Sequence, residues 1–395
     1  MGCSDPGSED EFVPATGHTG ELKPILKRLT LSVANDCNLA CKYCYANCGR
    51  YYSRSSLMDK ETALTAVNYA HRRFSRIEHV NFFGGEPTLN LSTIRAVCEY
   101  FAYLRDRNRV SQMPRFGLTT NGYALSDQTL RLLEEYDFGI SFSLDGPREV
   151  HDRLRVSRSG GPTWIAVVDS IEKVRAVGVV PEFECTYTAE HWRMGITVVD
   201  LLDFFHRRFG CRVLHCPTVV VPPHSPWFVP LEIAGELYAD AIRESVRSIA
   251  SGEAKSISSV MRMMQAVARG SPIYDFCPAG TGAITVHPDG RVYACFMLMA
   301  RPEFAIGDVN ETKPTRVRDT IIEILEGAGK WRNPECCRCW AQALCFGCIG
   351  EDVARGCRKL MCDFRREQVG VFLGQLAEHI PSLRHRSAVR PPCAS

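Results

Sequence analysis

Cys37-Asn38-Leu39-Ala40-Cys41-Lys42-Tyr43-Cys44 follows directly on an apolar run, Leu29 to Ala34, that reads as a β-strand. It sets three thiols at C-x3-C-x2-C spacing. Three thiolates can hold three irons of a cubic iron–sulfur cluster and leave the fourth iron open. Such clusters ordinarily take four Cys, and structural zinc takes four N or S ligands. A set of three therefore suggests a site built to bind something else. Tyr43 completes the pattern C-x3-C-x-aromatic-C. The alternatives are chance cysteines or a zinc knuckle short of one ligand. Cys48 lies close by, but a fourth ligand would close the open iron, so it reads as a bystander.

The 395 residues allow two or three domains and a sizeable core. Hydrophobic content of 45% and charged content of 23% are ordinary for a globular protein, and a net charge of +2 gives no electrostatic argument for nucleic acid. No apolar run reaches membrane-spanning length, and no basic region precedes an apolar stretch at the N-terminus. Neither a membrane span nor a signal peptide is expected. Nineteen Cys is many for such a chain. Disulfides are rare in reducing compartments, so metal ligation in the cytoplasm is the better reading. Cys98, Cys185, Cys211 and Cys216 sit in apolar contexts and read as small core residues.

Residues 1–24 are polar and suit a flexible tail. Beyond them, short apolar runs alternate with amphipathic stretches. Strands are expected at Leu29–Ala34, His79–Phe83, Arg115–Thr119, Phe138–Ser143, Val179–Thr186 and Arg212–Val221, and helices at 60–75, 91–108, 127–136, 163–177 and 197–209. This alternation predicts an α/β fold with a parallel sheet and right-handed crossovers. About six units are too few for a closed eight-fold barrel. A partial (β/α)6 TIM-like barrel is expected over residues 25–225. Polar or Gly-rich motifs fall at successive strand ends, the active face of parallel α/β folds. They are Cys37–Cys44, Gly84-Gly85-Glu86-Pro87, Thr119-Thr120-Asn121-Gly122 and Ser143-Leu144-Asp145-Gly146. Residues 226–276 read as a helical bridge, 277–365 as a Cys-rich domain and 366–395 as a C-terminal helix and tail.

These motifs resemble those of radical SAM enzymes. The resemblance implies that Cys37, Cys41 and Cys44 bind a 4Fe–4S cluster whose open iron chelates S-adenosylmethionine. One electron from the reduced cluster then breaks a C–S bond to give a 5′-deoxyadenosyl radical. The cofactor does the hard chemistry while the protein positions it. The resemblance also assigns a ligand seat. Tyr43 lies beside the cluster. Gly84, Gly85, Glu86 and Pro87 approach the ligand, and their carbonyls and carboxylate can accept from its ammonium group. Asn121 belongs to a TNG motif, and Ser143 and Asp145 come near the ribose. His151-Asp152 and Arg155 match an HDxxR stretch of peptide-modifying members. Arg155 could pair the ligand carboxylate or make a structural ion pair.

The Cys-rich segment carries a second signal. Ile284-Thr285-Val286 and Arg291-Val292-Tyr293 flank Asp289-Gly290 and read as a hairpin, which would carry Cys295 back towards Cys277. Cys336, Cys339, Cys345 and Cys348 follow at C-x2-C-x5-C-x2-C spacing, too tight for a simple zinc ribbon. The segment resembles the SPASM extension of radical SAM enzymes, with C-x(9–15)-G-x4-C, then C-x2-C-x5-C-x3-C, then a last Cys. That resemblance implies two auxiliary 4Fe–4S clusters. One would use Cys277, Cys295 and Cys348, and the other Cys336, Cys339, Cys345 and Cys362. The last pair is x2 here rather than x3. The first auxiliary cluster lacks an obvious fourth ligand, which Cys337 or Cys357 could supply; otherwise its iron is open.

Enzymes with this extension mostly modify peptides or proteins. The expected function is maturation of a ribosomally made precursor peptide by hydrogen abstraction and an oxidative cross-link (thioether, ether or carbon–carbon). The alternative is an anaerobic sulfatase-maturating enzyme that converts Cys or Ser to formylglycine. In sulfatase maturases an Asp, proposed as the base, follows the Cys of G-x4-C, whereas Phe296 follows Cys295 here. A non-catalytic electron-transfer protein is a third reading, disfavoured by the intact ligand motifs. The expected partners are a precursor peptide or protein and a reductant such as flavodoxin or ferredoxin, with no nucleic acid and no membrane. Only 28 residues precede the first strand, too few for a winged-helix leader-binding domain. The leader is therefore expected to bind elsewhere or to come on a separate protein.

Overall fold

The structure, a computed structural model, describes residues 23–274, 277–311, 330, 333–348, 350–352 and 358–386. Most of the expected tail at 1–24 lies outside the described residues, as does Cys357. The core is a sheet in which β1 (Arg28–Asn35), β2 (His79–Gly84), β3 (Arg115–Thr120), β4 (Gly139–Ser143) and β5 (Glu182–Glu184) lie side by side and parallel. Every residue of β1 after Arg28 is buried, as expected of a strand covered on both faces. α1 (Lys60–Arg73), α2 (Leu91–Asp106), α3 (Asp127–Glu135) and α5 (Trp164–Ala176) form crossovers between successive strands, with a short α4 (Arg148–Leu154) before α5. Asp59 and Ser126 cap α1 and α3 by accepting backbone N–H bonds. Phe82, Phe116 and Phe138 stack beneath α2 and α3 with ring centroids 5.4 to 6.3 Å apart.

The sheet does not close, so the barrel is partial. After α6 (Val198–Phe209), the sixth unit is reduced to β6 (Val213–Leu214), which pairs with Ser256–Ile257 instead of extending the β5 ladder. Contact with β5 and the residues just after it persists as isolated bridges, Glu184 to His215 and Tyr187 to Thr218. The strands expected at Val179–Thr186 and Arg212–Val221 are therefore shorter than their apolar runs. Pro217 has no N–H to donate, which interrupts a ladder at that point. α7 (Leu231–Ser251) and α8 (Ser258–Arg269) bridge to the C-terminal part, and α9 (Arg358–Arg386) packs along α7.

The expected hairpin is present as β7 (Ala283–Val286) and β8 (Arg291–Tyr293), followed by β9 (Ala305–Asp308). Periodicity did not foreshadow its placement. β7 runs parallel to β1 from Ala283 opposite Arg28 to Val286 opposite Leu31, so the Cys-rich part continues the barrel sheet.

His71 on α1 lies buried, edge-on to Phe101 with centroids 5.9 Å apart. Burial pushes its imidazole down to about 4. Between pH 6.5 and 4 the unfolded chain takes a proton that the folded chain refuses. Stability should therefore fall as pH drops through that window, by about 3 kcal/mol from this group alone. Denaturant titrations at pH 7 and pH 5 should show a shallower decline for His71→Phe than for the parent.

Candidate functional site

The three thiols project from the loop after β1. Cys37 is buried, and Cys41 and Cys44 are half-buried. Backbone bonds hold the loop against α4 and the turn after it, Lys42 N–H to Leu154 O at 2.9 Å and Ala40 N–H to Val156 O at 2.8 Å. The floor is glycine against glycine. A Cβ on Gly85 would stand 2.6 Å from the Asp36 carbonyl carbon and 2.9 Å from Gly49 Cα, so only bare backbone fits. Gly85 N–H donates to Ala34 O at 2.7 Å and Glu86 N–H to Asp36 O at 2.8 Å, which locks the β2 loop to the thiol loop. Asn47, Cys48, Tyr51 and Tyr52 all hold positive φ, so backbone strain is concentrated just beyond the thiols.

Cys37 Sγ accepts from Leu39 N–H and from Asn121 Nδ2, each at 3.4 Å. Burial pushes the Cys37 and Cys41 thiols up to about 12. Unligated, they stay protonated, whereas metal ligation deprotonates a thiol outright. Among the described residues no group of three His, Cys, Asp or Glu side chains is gathered tightly enough for a single metal ion. Tetrahedral zinc would need its sulfurs about 3.8 Å apart. A cluster that takes one thiolate per iron accepts a wider spread. One buried and two half-buried thiols on one loop, the buried one already receiving N–H donors, fit an iron–sulfur cluster.

Two buried carboxylates organise the rest. Glu86 is 1% exposed. Its Oε1 accepts from Thr88 N–H, Thr88 Oγ1 and Thr120 Oγ1 at 3.1, 2.7 and 2.8 Å, and its Oε2 accepts from Asn121 N–H at 2.8 Å. Burial pushes its carboxyl up against these donors. Asp145 is fully buried. Its Oδ2 accepts from Tyr43 OH at 2.6 Å and lies 3.0 Å from Arg155 Nε, and its Oδ1 accepts from Thr186 N–H at 3.1 Å. Burial would raise its carboxyl, but the Arg155 guanidinium, the His151 and His191 rings and the Tyr43 hydroxyl together outweigh this and hold it below the usual range. Asp145 N–H donates to His151 Nδ1 at 3.2 Å, and Asp145 O lies 2.9 Å from His191 Nε2. Of the two offices weighed for Arg155, the structure places it in the ion pair, with its guanidinium 5.6 Å from the Tyr43 ring centroid. Ser143, half-buried, ends β4 opposite Glu184. Pro87 is buried and opens a single 3-10 turn, Pro87–Asn90. No spacing motif marked Thr186 or His191, which reach Asp145 only through the fold.

The C-terminal cysteines gather into two neighbourhoods. Burial pushes Cys295 up to about 11 and Cys348 up to about 12; Cys277 is near enough to oppose ionisation of both, and Cys295 that of Cys348. Burial likewise raises Cys345 to about 11, and Cys362 and Cys339 are near enough to oppose its ionisation. Cys336 is buried on the short helix Pro334–Cys337, and Cys337 is exposed. Phe296 packs between Phe83 and Tyr45, with centroids 4.5 and 6.5 Å away.

The partial barrel and its thiol loop define a class, that of radical SAM proteins. Residues 31–189 match the radical SAM superfamily and residues 277–349 match SPASM, an iron–sulfur cluster-binding domain. The chain belongs to the radical SAM superfamily and carries a SPASM extension, a pair of domains whose cofactors are S-adenosylmethionine and 4Fe–4S clusters. It is similar to the radical SAM cyclopropyl synthase TigE of Paramaledivibacter caminithermalis, 29% identical over 37% of this chain and 32% of that enzyme. It is also similar to a serine-type anaerobic sulfatase-maturating enzyme of Klebsiella aerogenes, 25% identical over 79% of this chain and 76% of the relative. For the first curated relatives, the chain spans less than half of their length. The fold matches that of native anSMEcpe with bound AdoMet at a TM-score of 0.73, with 18% identity over 92% of this chain and all of that one. No helix among the described residues is long and apolar enough to cross a membrane.

Two substitutions test this construction. Gly85→Ala should push the β2 loop off the thiol loop and cut iron bound after anaerobic reconstitution to less than about half, with circular dichroism unchanged. Arg155→Ala should destabilise the fold by about 3–5 kcal/mol in denaturant titrations, because Asp145 is left buried and unpaired; adding Asp145→Asn should recover part of that loss.

Proposed function

We propose that the protein is a radical SAM enzyme that matures a ribosomally made precursor peptide, taking hydrogen from one residue and joining that carbon to a second side chain by a thioether, ether or carbon–carbon bond. Cys37, Cys41 and Cys44 would hold the first 4Fe–4S cluster. When bound, this cluster and S-adenosylmethionine supply a carbon-centred radical able to abstract hydrogen from an unactivated carbon. The loops of Gly84–Pro87, Asn121 and Ser143 would seat the ligand. Glu86 already has donors from Thr88, Thr120 and Asn121, so its part is to hold those loops in place. Arg155 engages Asp145 through Nε, which leaves its terminal nitrogens as the atoms that would meet a ligand carboxylate. Cys277, Cys295 and Cys348, and Cys336, Cys339, Cys345 and Cys362, would hold two auxiliary clusters, which when bound would supply an acceptor for the one electron left over as the second side chain gives up its proton to solvent. Cys277, Cys295 and Cys348 lie near one another, as do Cys339, Cys345 and Cys362, which supports that division. A reductant such as flavodoxin or ferredoxin would serve it in the cytoplasm, and a separate protein could present the leader.

Phe296 carries the choice of cross-linking. Where a sulfatase maturase would offer a carboxylate, this chain packs an aromatic ring against Phe83 and Tyr45. Formylglycine formation is the second reading, favoured by similarity to the Klebsiella aerogenes enzyme along most of both chains. Anaerobic co-expression with the short peptide encoded nearest the gene, followed by tandem mass spectrometry, separates them. Cross-linking gives loss of two hydrogens with fragmentation blocked between two residues. An unmodified peptide together with an aldehyde on a sulfatase Cys or Ser would move the assignment to formylglycine. Cys41→Ala should abolish 5′-deoxyadenosine formation. Cys339→Ala should lower product more than it lowers 5′-deoxyadenosine; full product from that variant, with its cluster shown to be missing, would remove the auxiliary site from the oxidation.

A further inference from the structure

A cavity of about 560 Å3 lies between the thiol loop and the turn after β8, within the size range of small-ligand pockets. Lys42 and Tyr52 come from the thiol loop, Trp227 and Phe228 from the connection before α7, and Met297 and Arg301 from the turn after β8. It opens beside Tyr43 and Cys44. Met297 Sδ lies 3.7 Å from Cys348 Sγ, so one wall residue of the cavity touches a cysteine of the C-terminal set. Apart from Ser225 and Cys44, its uncharged walls are aromatic, aliphatic and thioether. The charged side chains lining it are Lys42 and Arg301, and no Asp or Glu lines it among the described residues. Neither cation has an acidic partner among the described residues. Lys42 Nζ stands 6.0 Å from the Trp227 ring centroid, so cation and ring border one volume.

We propose that this cavity receives a bulky aromatic or apolar side chain of the peptide substrate, flanked by an Asp or Glu that pairs with Lys42 and Arg301. The inference rests on the reading that the chain modifies a peptide, and it names the class of residue presented to the site. An aromatic side chain fills an apolar volume with little loss of rotamer freedom, and Met297 can adjust to its outline. Two cations with no acid between them attract an acidic neighbour and repel a basic one, so the charge selects as well as binds.

The test uses the full chain, reconstituted anaerobically with S-adenosylmethionine present, and titrates fluorescein-labelled nonapeptides. Their central residue is Phe, Trp, Ala or Lys, and its neighbours are Asp, Ser or Lys. Asp-flanked Phe and Trp peptides should bind about tenfold more tightly than Asp-flanked Ala peptides, and about tenfold more tightly than Lys-flanked Phe peptides. Arg301→Glu, which offsets the charge of Lys42, should erase the preference for Asp- over Lys-flanked peptides while keeping the preference for an aromatic centre, a split that misfolding cannot produce. Binding with no preference for an aromatic centre or for acidic flanks would overturn this inference and leave the peptide-maturing reading standing. If no peptide of the panel binds while the reduced protein still cleaves S-adenosylmethionine, this inference falls, and the peptide-maturing reading is decided by the co-expression experiment alone.

Discussion

A carboxylate taken out of water is tolerated only when donors or a cation meet its oxygens. Two such groups govern where the strand-end loops can go. Glu86 needs donors from its own loop and from the loop after β3. Asp145 needs Tyr43 from the thiol loop, Arg155 from the end of α4 and Thr186 from beyond β5. Neither carboxylate can be satisfied until loops from distant parts of the chain have arrived together. Loss of any one donor leaves a buried charge short of a partner, so the loops assemble as a unit. The thiol loop is fixed at both margins, through Tyr43 on one side and the Gly49–Gly85 contact on the other.

The second constraint is the strand register. β7 lies against β1 on the edge opposite β2, so one buried strand aligns the barrel with the auxiliary region. Beyond the ladder, Asn35 at the end of β1 contacts buried His287 just after β7, and His287 in turn pairs with Asp289 at 2.7 Å. Asn35 stands two residues before Cys37. A slip of one residue in this register would turn the hairpin's inward side chains outward and break that contact. The separation between the first thiol site and Cys295 is thus set by backbone pairing rather than by a linker.

Much of this architecture was legible because strand ends and motifs coincide. β1 to β4 and their crossover helices stand close to where the periodicity put them, and the four motifs do meet on one face. What was not legible depends on contacts far apart in sequence. Arg212–Val221 is apolar enough for a strand, yet β6 keeps only Val213–Leu214 in a ladder, because neighbouring Ser256–Ile257 takes up the pairing and Pro217 has no N–H to give. Glu86 and Arg155 read as ligand-facing groups from their motifs. Their partners, Thr120 and Asn121 for one and Asp145 for the other, became visible only once the loops were in space. The parallel addition of β7 to β1 leaves no mark on either strand's own pattern, since a strand buried on both faces is apolar whatever lies beside it.

Scaffold and specificity are separable in this molecule for a physical reason. Glu86, Asp145 and the Gly49–Gly85 contact cannot change without stranding a buried charge or driving a side chain into backbone. Apart from Tyr43 and Cys44, the residues that wall the cavity carry no such burden. Trp227 and Phe228 sit on the connection before α7, Met297 and Arg301 on a turn, and Tyr52 is 72% exposed. Substitution there alters the shape and charge of the cavity while leaving the loop-holding bonds intact, as expected where variable loops stand on a rigid frame. Radical chemistry needs the reacting groups placed within a fraction of an ångström, and that precision lies in the buried carboxylates and the strand register. Choice of substrate needs freedom to vary, and that freedom lies in the three segments that meet around the cavity.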